Sequence, residues 1–264
     1  MEIVGLIPAA GRAQRLGALP CSKEVFPVGF EETPDGRQPR PACAHLLEAF
    51  RDGGIRRAFV LLRQGKWDIP AVLGRGRRYG VDLAYLALEP TSGVPQTLDA
   101  AFPFVADATV ALGFPDILFE PRDAYIQVLD RLERTSADVV LGLFRTDRPD
   151  KADMVETDDR GRARRLVIKR PGSELDHTWG VAAWRPTFSR FLRDAVARPS
   201  DGDELYVGDV LQLAIEAGHH VDSVVLPAGR CLDLGTPEDL VRAFRGGLSG
   251  AATLVTSGRR MDYS

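Results

Sequence analysis

The chain is poor in cysteine, with only Cys21, Cys43 and Cys231 among its 264 residues. An odd and widely spaced set excludes a disulfide framework and fits a reducing compartment. Histidine is as scarce: His45, His177, His219 and His220 show no metal-ligand spacing with one another or with cysteine, and they read as surface or helix-end residues. There is no basic excess either. A formal net charge of -3 and a pI near 5.9 give no electrostatic reason to expect a nucleic-acid or anionic-membrane partner. The stretches from Arg75 to Arg78 and from Arg160 to Arg165 therefore read as solvated loops. Long apolar runs are missing: the first, Ile3 to Ala10, meets glycine and arginine too soon for a signal peptide or a membrane span, so the expected location is cytoplasmic. No repeat, low-complexity tract or Pro/Ser-rich linker divides the chain, which predicts one domain over residues 1–246 and a loosely ordered Gly/Ser-rich tail over 247–264. A Walker loop and a three-glycine dinucleotide fingerprint are absent.

What is present is an ordinary globular composition, 44% hydrophobic and 27% charged. Short apolar runs alternate with stretches of helical spacing. Strands are expected at Ile3 to Ala10, Arg57 to Leu62, Val81 to Leu88, Ala108 to Gly113, Asp138 to Phe144, Arg164 to Ile168, Trp179 to Trp184 and Val221 to Leu226. Helices are expected at Ala42 to Asp52, Pro95 to Phe102, Tyr125 to Arg134, Phe188 to Ala197 and Val207 to Ala217, with Glu31 to Pro41 an insertion-like stretch. Such an order predicts a three-layer αβα fold, Rossmann-like, around a mostly parallel, mixed sheet.

The most informative segment is LIPAAGRAQRLGALPCSKEVFPVG. A loop leaving a buried strand aims successive backbone N–H groups at phosphate oxygens, and Ala9, Ala10 and Gly11 are placed for this, the glycine allowing close approach. Arg15 and Lys23 add positive charge on what reads as an exposed loop. Phosphoryl chemistry is mostly positioning and electrostatic stabilisation by Arg, Lys and metal, so these two are the candidate catalytic cations. Transfer from a triphosphate also calls for Mg²⁺, held by one or two carboxylates. Asp116 follows a central strand, where open α/β sheets build their crevice, and Asp233 stands in CLDLGTPED.

In these residues the chain resembles the sugar-1-phosphate nucleotidyltransferases, the thymidylyltransferases and uridylyltransferases among them, whose N-terminal pattern G-x-G-x-R-L leads to lysine and then P-V. Gly11, Arg15, Leu16, Pro20, Lys23, Pro27 and Val28 match, while Ala13 replaces the second glycine. The resemblance spans Ile3 to Leu240. It implies transfer of a nucleotidyl group from a nucleoside triphosphate to a sugar-1-phosphate with release of pyrophosphate. The implied reaction is direct in-line attack without a covalent intermediate, Arg15 and Lys23 lie on the triphosphate, and Asp116 and Asp233 hold Mg²⁺ or Mn²⁺. Homo-oligomers are common on this fold.

The resemblance extends to the acceptor and base sites less closely. The family's Glu-Lys-Pro, whose lysine binds the sugar phosphate, corresponds to LVIKRPG here; alignment on Pro171 selects Arg170, alignment by residue type selects Lys169, and both readings stand. Trp179 and Gly180 match the strand bordering the sugar, although Trp179 equally suits a core. At the base, LEPTSGVPQTL puts Glu89 where the family has glutamine, with Gly93 in the turn and Gln96 one helical turn beyond. An ionised glutamate only accepts, which suits guanine or the cytosine amino group, whereas Gln96 would restore pyrimidine reading. Two further expectations are transfer to a non-sugar phosphate such as phosphocholine or a cyclitol phosphate, and a nucleotide-sensing subunit without turnover.

Overall fold

A computed structural model of the chain describes residues 2–33, 36–170, 172–198, 204–226 and 228–244. The expected tail lies outside them, as does Pro171. In chain order the elements are β1 (Ile3–Pro8), β2 (Pro27–Thr33), β3 (Gly36–Pro41), α1 (Ala44–Asp52), β4 (Arg57–Arg63), α2 (Asp68–Leu73), β5 (Asp82–Leu88), α3 (Val94–Asp99), α4 (Phe102–Val105), β6 (Thr109–Gly113), β7 (Ile117–Glu120), α5 (Ala124–Arg134), β8 (Val139–Arg145), β9 (Asp153–Thr157), β10 (Ala163–Ile168), β11 (His177–Trp184), α6 (Pro186–Val196), α7 (Val207–Glu216), β12 (Val221–Val225), β13 (Arg230–Asp233) and α8 (Pro237–Phe244).

The central sheet runs β10-β9-β11-β6-β1-β4-β5, with β8 on β11 and β12 on β8. Its strands share one direction except β10 and β11. The reason for the layering is visible in side-chain alternation. In β1, Val4 and Leu6 join one apolar cluster with α3, α4, α6 and α7, whereas Ile7 joins another with α1, α2 and α5. Strand β4 divides in the same way, Leu61 to the first cluster and Ala58, Val60 and Leu62 to the second. Both sheet faces are thus covered, as the sequence predicts. The expected helix Pro95 to Phe102 is split into α3 and α4 at a break between Ala100 and Ala101.

Four features depart from expectation. The insertion-like stretch forms the β2–β3 hairpin, a separate two-stranded sheet. Short β7 pairs antiparallel with β13, and α8 and residues of the hairpin pack on this ribbon through Ala42, Leu118, Leu232 and Leu234. Strand β9, which the alternation of its sequence does not announce, pairs with β10 across the turn Asp158 to Gly161. His45 is no surface residue: its ring sits edge-on to Phe119 and Nε2 accepts the Phe119 N–H at 3.2 Å. Burial pulls its pKa down to about 4, so it stays neutral.

The topology also sets where a ligand goes. From β1 the chain moves outward to β4 and β5, then returns to β6 on the other side of β1. At such a reversal the loops leaving neighbouring strands part and open a crevice beyond their carboxyl ends.

Candidate active site

A cleft of about 910 Å³ opens there. Its floor is built by the Ala10–Lys23 segment leaving β1 and by Phe114 and Asp116 leaving β6. Gly113, the last residue of β6, admits no side chain, because a Cβ would collide with Leu46 and stand 2.7 Å from the Tyr125 hydroxyl, which itself donates to the Leu112 carbonyl at 2.7 Å.

Two carboxylates distant in sequence meet on this floor through the β7–β13 ribbon. Asp233 pairs in register with Ile117, next to Asp116, and the Leu234 N–H donates to the Asp116 carbonyl at 2.9 Å. The Lys23 ammonium forms an ion pair with Asp116. Burial works against that ammonium, but Asp116, Glu24 and Asp233 together outweigh it and hold the pKa above the ordinary lysine value. Lys23 is therefore not the exposed loop cation the sequence suggests: 18% of its side chain is accessible. Arg15 does lie in the open, on a short 3₁₀ turn over Gln14–Leu16. A Cβ on Gly235 would come within 3.0 Å of Arg15 Nη2 and of both Asp233 carboxylate oxygens, so glycine at this position lets cation and carboxylate approach. Burial, reinforced by Asp116, pushes the Asp233 carboxyl up to about 6 although Lys23 and Arg15 oppose it.

Ala13 is held at φ 52, in the left-handed region, and this gives the physical reason for a glycine in the motif it departs from. Strain of roughly 1–2 kcal/mol is expected for a residue with a Cβ there. Ala10 and Gly11 line the cleft; Ala9 is buried just beneath, its N–H bonded to the Leu61 carbonyl at 2.7 Å.

One wall follows β4 and β5. Glu89 is exposed on it, accepting from Gln64 Nε2 at 3.3 Å, and Gly93 opens α3 beside it. Gln96 is not among the residues lining the cleft; its Oε1 is buried without a hydrogen-bond partner, and a Cβ on Gly93 would come within 3.1 Å of it.

The opposite wall is made by the loop after β8, Lys169, Trp179 and Glu204. Lys169 faces the cleft, with Nζ 3.8 Å from the centroid of the Tyr206 ring, whereas Arg170 is exposed and does not line it. Trp179 lines the cleft. Gly180 lies behind it at a bulge in β11, where a Cβ would meet Phe144 and Cys231.

Asp153, at the start of β9, was not anticipated. Its Oδ1 is buried and unpaired; the indole N–H of Trp179 completes no hydrogen bond either but lies near enough to favour the anion. Burial dominates, and it pushes the Asp153 carboxyl up to about 6 against Lys169. The folded protein thus holds this proton more tightly than the unfolded chain. That stability is fully present below the ordinary carboxylate value of 3.8 and is lost as pH rises through about 6. Asp153→Asn is expected to raise the melting temperature at pH 7.5, by the equivalent of about 3 kcal/mol at most, and to change little at pH 4. Thermal melts at the two pH values check this; an equal shift at both would contradict it.

Arg63, Arg145, Arg148 and Lys151 also line the cleft and escaped the sequence reading. Each stands at or just beyond the carboxyl end of β4 or β8, and that placement, applied only to Asp116, would have found them. Arg148 is tied to Asp239 of α8 at 2.6 Å.

The cleft lies at the strand-order reversal, where open α/β folds bind their ligands, with cations and two carboxylates on its floor. The chain belongs to the nucleotidyl transferase family, whose model matches residues 4–249. It is 25% identical over 244 residues to a low-salt glycan biosynthesis nucleotidyltransferase of Haloferax volcanii, covering 90% of this chain and 64% of that protein. It is 27% identical over 251 residues to a glucose-1-phosphate thymidylyltransferase of Streptomyces griseus, covering 91% of this chain and again 64% of the relative. The chain thus spans a little under two thirds of the length of these relatives. Among solved structures, a putative glucose-1-phosphate thymidylyltransferase of Bacillus anthracis superposes with a TM-score of 0.80 at 19% identity, over 92% of this chain and 94% of that one. A UDP-glucose pyrophosphorylase complexed with UDP-glucose gives 0.75 at 15% identity, over 94% and 98%. These likenesses bear out the fold. Among the described residues no helix is long and apolar enough to cross a membrane.

Proposed function

We propose that the chain joins a nucleoside triphosphate to a sugar-1-phosphate, in the cytoplasm, with release of pyrophosphate. The observation that carries this reading is the convergence of Arg15, Lys23, Asp116 and Asp233 on the floor of one cleft, with a separate cation, Lys169, on the acceptor wall. Two phosphate-bearing substrates must approach each other here, and each has a cation waiting for it.

In this reading Arg15, Lys23 and the N–H groups around Gly11 bind the triphosphate and orient its α-phosphorus toward the acceptor wall. Lys169 receives the acceptor phosphate as a point charge, and one of that phosphate's oxygens attacks in line while pyrophosphate leaves toward Lys23. Charge that grows on the leaving group meets cations already in place, which lowers the barrier without reorganisation. The fit of a divalent cation is tested by the carboxylates: Asp116 and Asp233 are brought together, and the burial and like charge that raise Asp233 are what a hard cation relieves. Among the described residues no group of three or more His, Cys, Asp or Glu is arranged to hold a metal, and Asp116 and Asp233 are the residues that would hold one here. Mg²⁺ or Mn²⁺ held by Asp116 and Asp233 would supply neutralisation of the phosphate charge.

The direct test is a pyrophosphate-release screen of the common nucleoside triphosphates against sugar-1-phosphates, with phosphocholine and a cyclitol phosphate in the panel. Turnover with phosphocholine alone would move the acceptor out of the sugar class. No turnover with any pair would favour a sensing subunit.

Glu89 is the residue proposed to read the base, since it stands on the cleft wall and Gln96 does not. A carboxylate accepts from guanine or the cytosine amino group but faces the O4 acceptor of uracil and thymine unpaired. Where the bound base covers Glu89, leaving a polar group unpaired beneath it costs about 1–3 kcal/mol, which gives tenfold or greater discrimination. Wild type is expected to prefer GTP or CTP, and Glu89→Gln to shift preference toward UTP or dTTP. Ratios of kcat/KM over the four triphosphates decide it: a wild type favouring dTTP or UTP, unchanged by the substitution, removes Glu89 from the base site.

A further inference from the structure

Lys66, on the turn that joins β4 to α2, and Asp68, the first residue of α2, reach under the Ala9–Lys23 loop. Lys66 is 5% exposed and Glu24 1% exposed. Lys66 Nζ donates to Glu24 Oε1 at 2.6 Å and to the Ala9 carbonyl at 2.8 Å. Two residues further on, Asp68 accepts the Ser22 N–H at 2.5 Å and the Ser22 hydroxyl at 2.8 Å. Ser22 and Glu24 are thus both fastened to one turn. Lys23, between them, is left to reach Asp116 on the cleft floor. Ala9 is where the chain leaves β1 to enter the loop, so the same ammonium holds the loop's entry and its exit.

We propose that Lys66, acting through Glu24 and Ala9 and helped by Asp68, is a positioning residue that sets the Ala9–Lys23 loop and aims Lys23. The proposal rests on reading that loop as the triphosphate site. A stability role alone explains the pair poorly. Burial draws Lys66 below its ordinary pKa and pushes Glu24 above its own, and Glu24 Oε2 has no hydrogen-bond partner, so both charges are held at a cost to folding. Two apolar side chains of similar volume fill such a space without that cost. What they cannot do is tie the Ala9 carbonyl and the Glu24 carboxylate to one point, since an ammonium offers three donors in defined directions. Placement matters because a shift of about 1 Å in a group that binds reacting phosphate costs on the order of 10²-fold in rate.

The test separates positioning from folding. In the double variant Glu24→Leu with Lys66→Met the ion pair is replaced by apolar bulk, so the melting temperature is expected to stay near wild type. Hydrogen exchange is then expected to quicken at Leu16, Gly17, Val25 and Phe26, whose amides bond within the loop, and to stay unchanged in β4 and α5. KM for the best of GTP, CTP, UTP and dTTP with glucose 1-phosphate should rise on the order of 10-fold or more, with a smaller fall in kcat, and Lys66→Arg alone should recover part of it. Unchanged exchange in the loop overturns the proposal, as does wild-type KM in the double variant while Lys23→Ala loses activity. If Lys23→Ala itself keeps wild-type turnover, the triphosphate assignment fails, and the exchange measurement still decides the strut. Should the double variant not fold, Asp68→Ala, on the half-buried outer side of the turn, carries the same expectation for the amides of Val25 and Phe26.

Discussion

Lys23→Ala is expected to fold and to lose on the order of 10²-fold or more of its kcat/KM, the cost typical of removing one preorganised group that meets charge in a transition state. The side chain lies mostly out of solvent, with its ammonium on Asp116 and its positive charge held by three carboxylates. Such an ammonium is poised before substrate arrives and needs no reorientation when charge develops. The fold does not depend on it, because Lys23 sits in a short turn outside the central sheet and both apolar clusters. Arg15→Ala should show a loss of the same kind with less structural consequence, its guanidinium being exposed. Lys23→Arg should not restore the rate, since a planar fork cannot replace a compact point charge in that space. Pyrophosphate release with the preferred triphosphate and acceptor measures all three. Near-full turnover by Lys23→Ala would take the triphosphate away from this loop.

Removing divalent cations is expected to have the larger effect still and to abolish turnover, with activity returning on addition of Mg²⁺ or Mn²⁺. Asp116→Asn and Asp233→Asn should each raise the concentration needed, because an amide is isosteric with a carboxylate but lacks the charge that holds a hard cation. Stability gives the control for Asp233. Its carboxyl is pushed up to about 6 by burial and by Asp116, so at pH 7.5 the ionised group opposes folding and the neutral amide should not destabilise. A loss of activity in Asp233→Asn with an equal or higher melting temperature therefore reports on the site and not on the fold. Full activity of the wild type in excess chelator would sink the metal assignment.

The long elements were legible because their patterns are unambiguous. Val4, Leu6 and Ile7 of β1, the alternating apolar residues of β4, and the helical spacing of Leu46, Leu47 and Phe50 in α1 each bury what their period predicts. That the loop after β1 lines the cleft was legible for a different reason: it leaves a buried strand at its carboxyl end, where open α/β sheets form their crevice. Misreadings came where a residue's neighbours are distant in sequence. Lys23 looks exposed in its own segment, but Asp116 and Asp233 come to it from other elements. His45 lies in the first turn of α1, yet β7 covers it. Lys66 and Glu24 carry no signal in the sequence, because their contact forms only once the turn after β4 is folded beneath the loop.

Local patterning by itself determined the layered α/β class, the crevice-facing loop and the chemical types that line it, since these follow from periodicity and from residues adjacent in the chain. The tertiary structure alone decided which of Lys169 and Arg170 faces the cleft, that Glu89 and not Gln96 lines it, and that Asp116 and Asp233 share one floor. The last of these depends on β7 and β13, each four residues long and too short to show a period. Strands of that length form only when a partner supplies their hydrogen bonds and Leu118, Leu232 and Leu234 close over a common core, and neither condition is written in either segment alone.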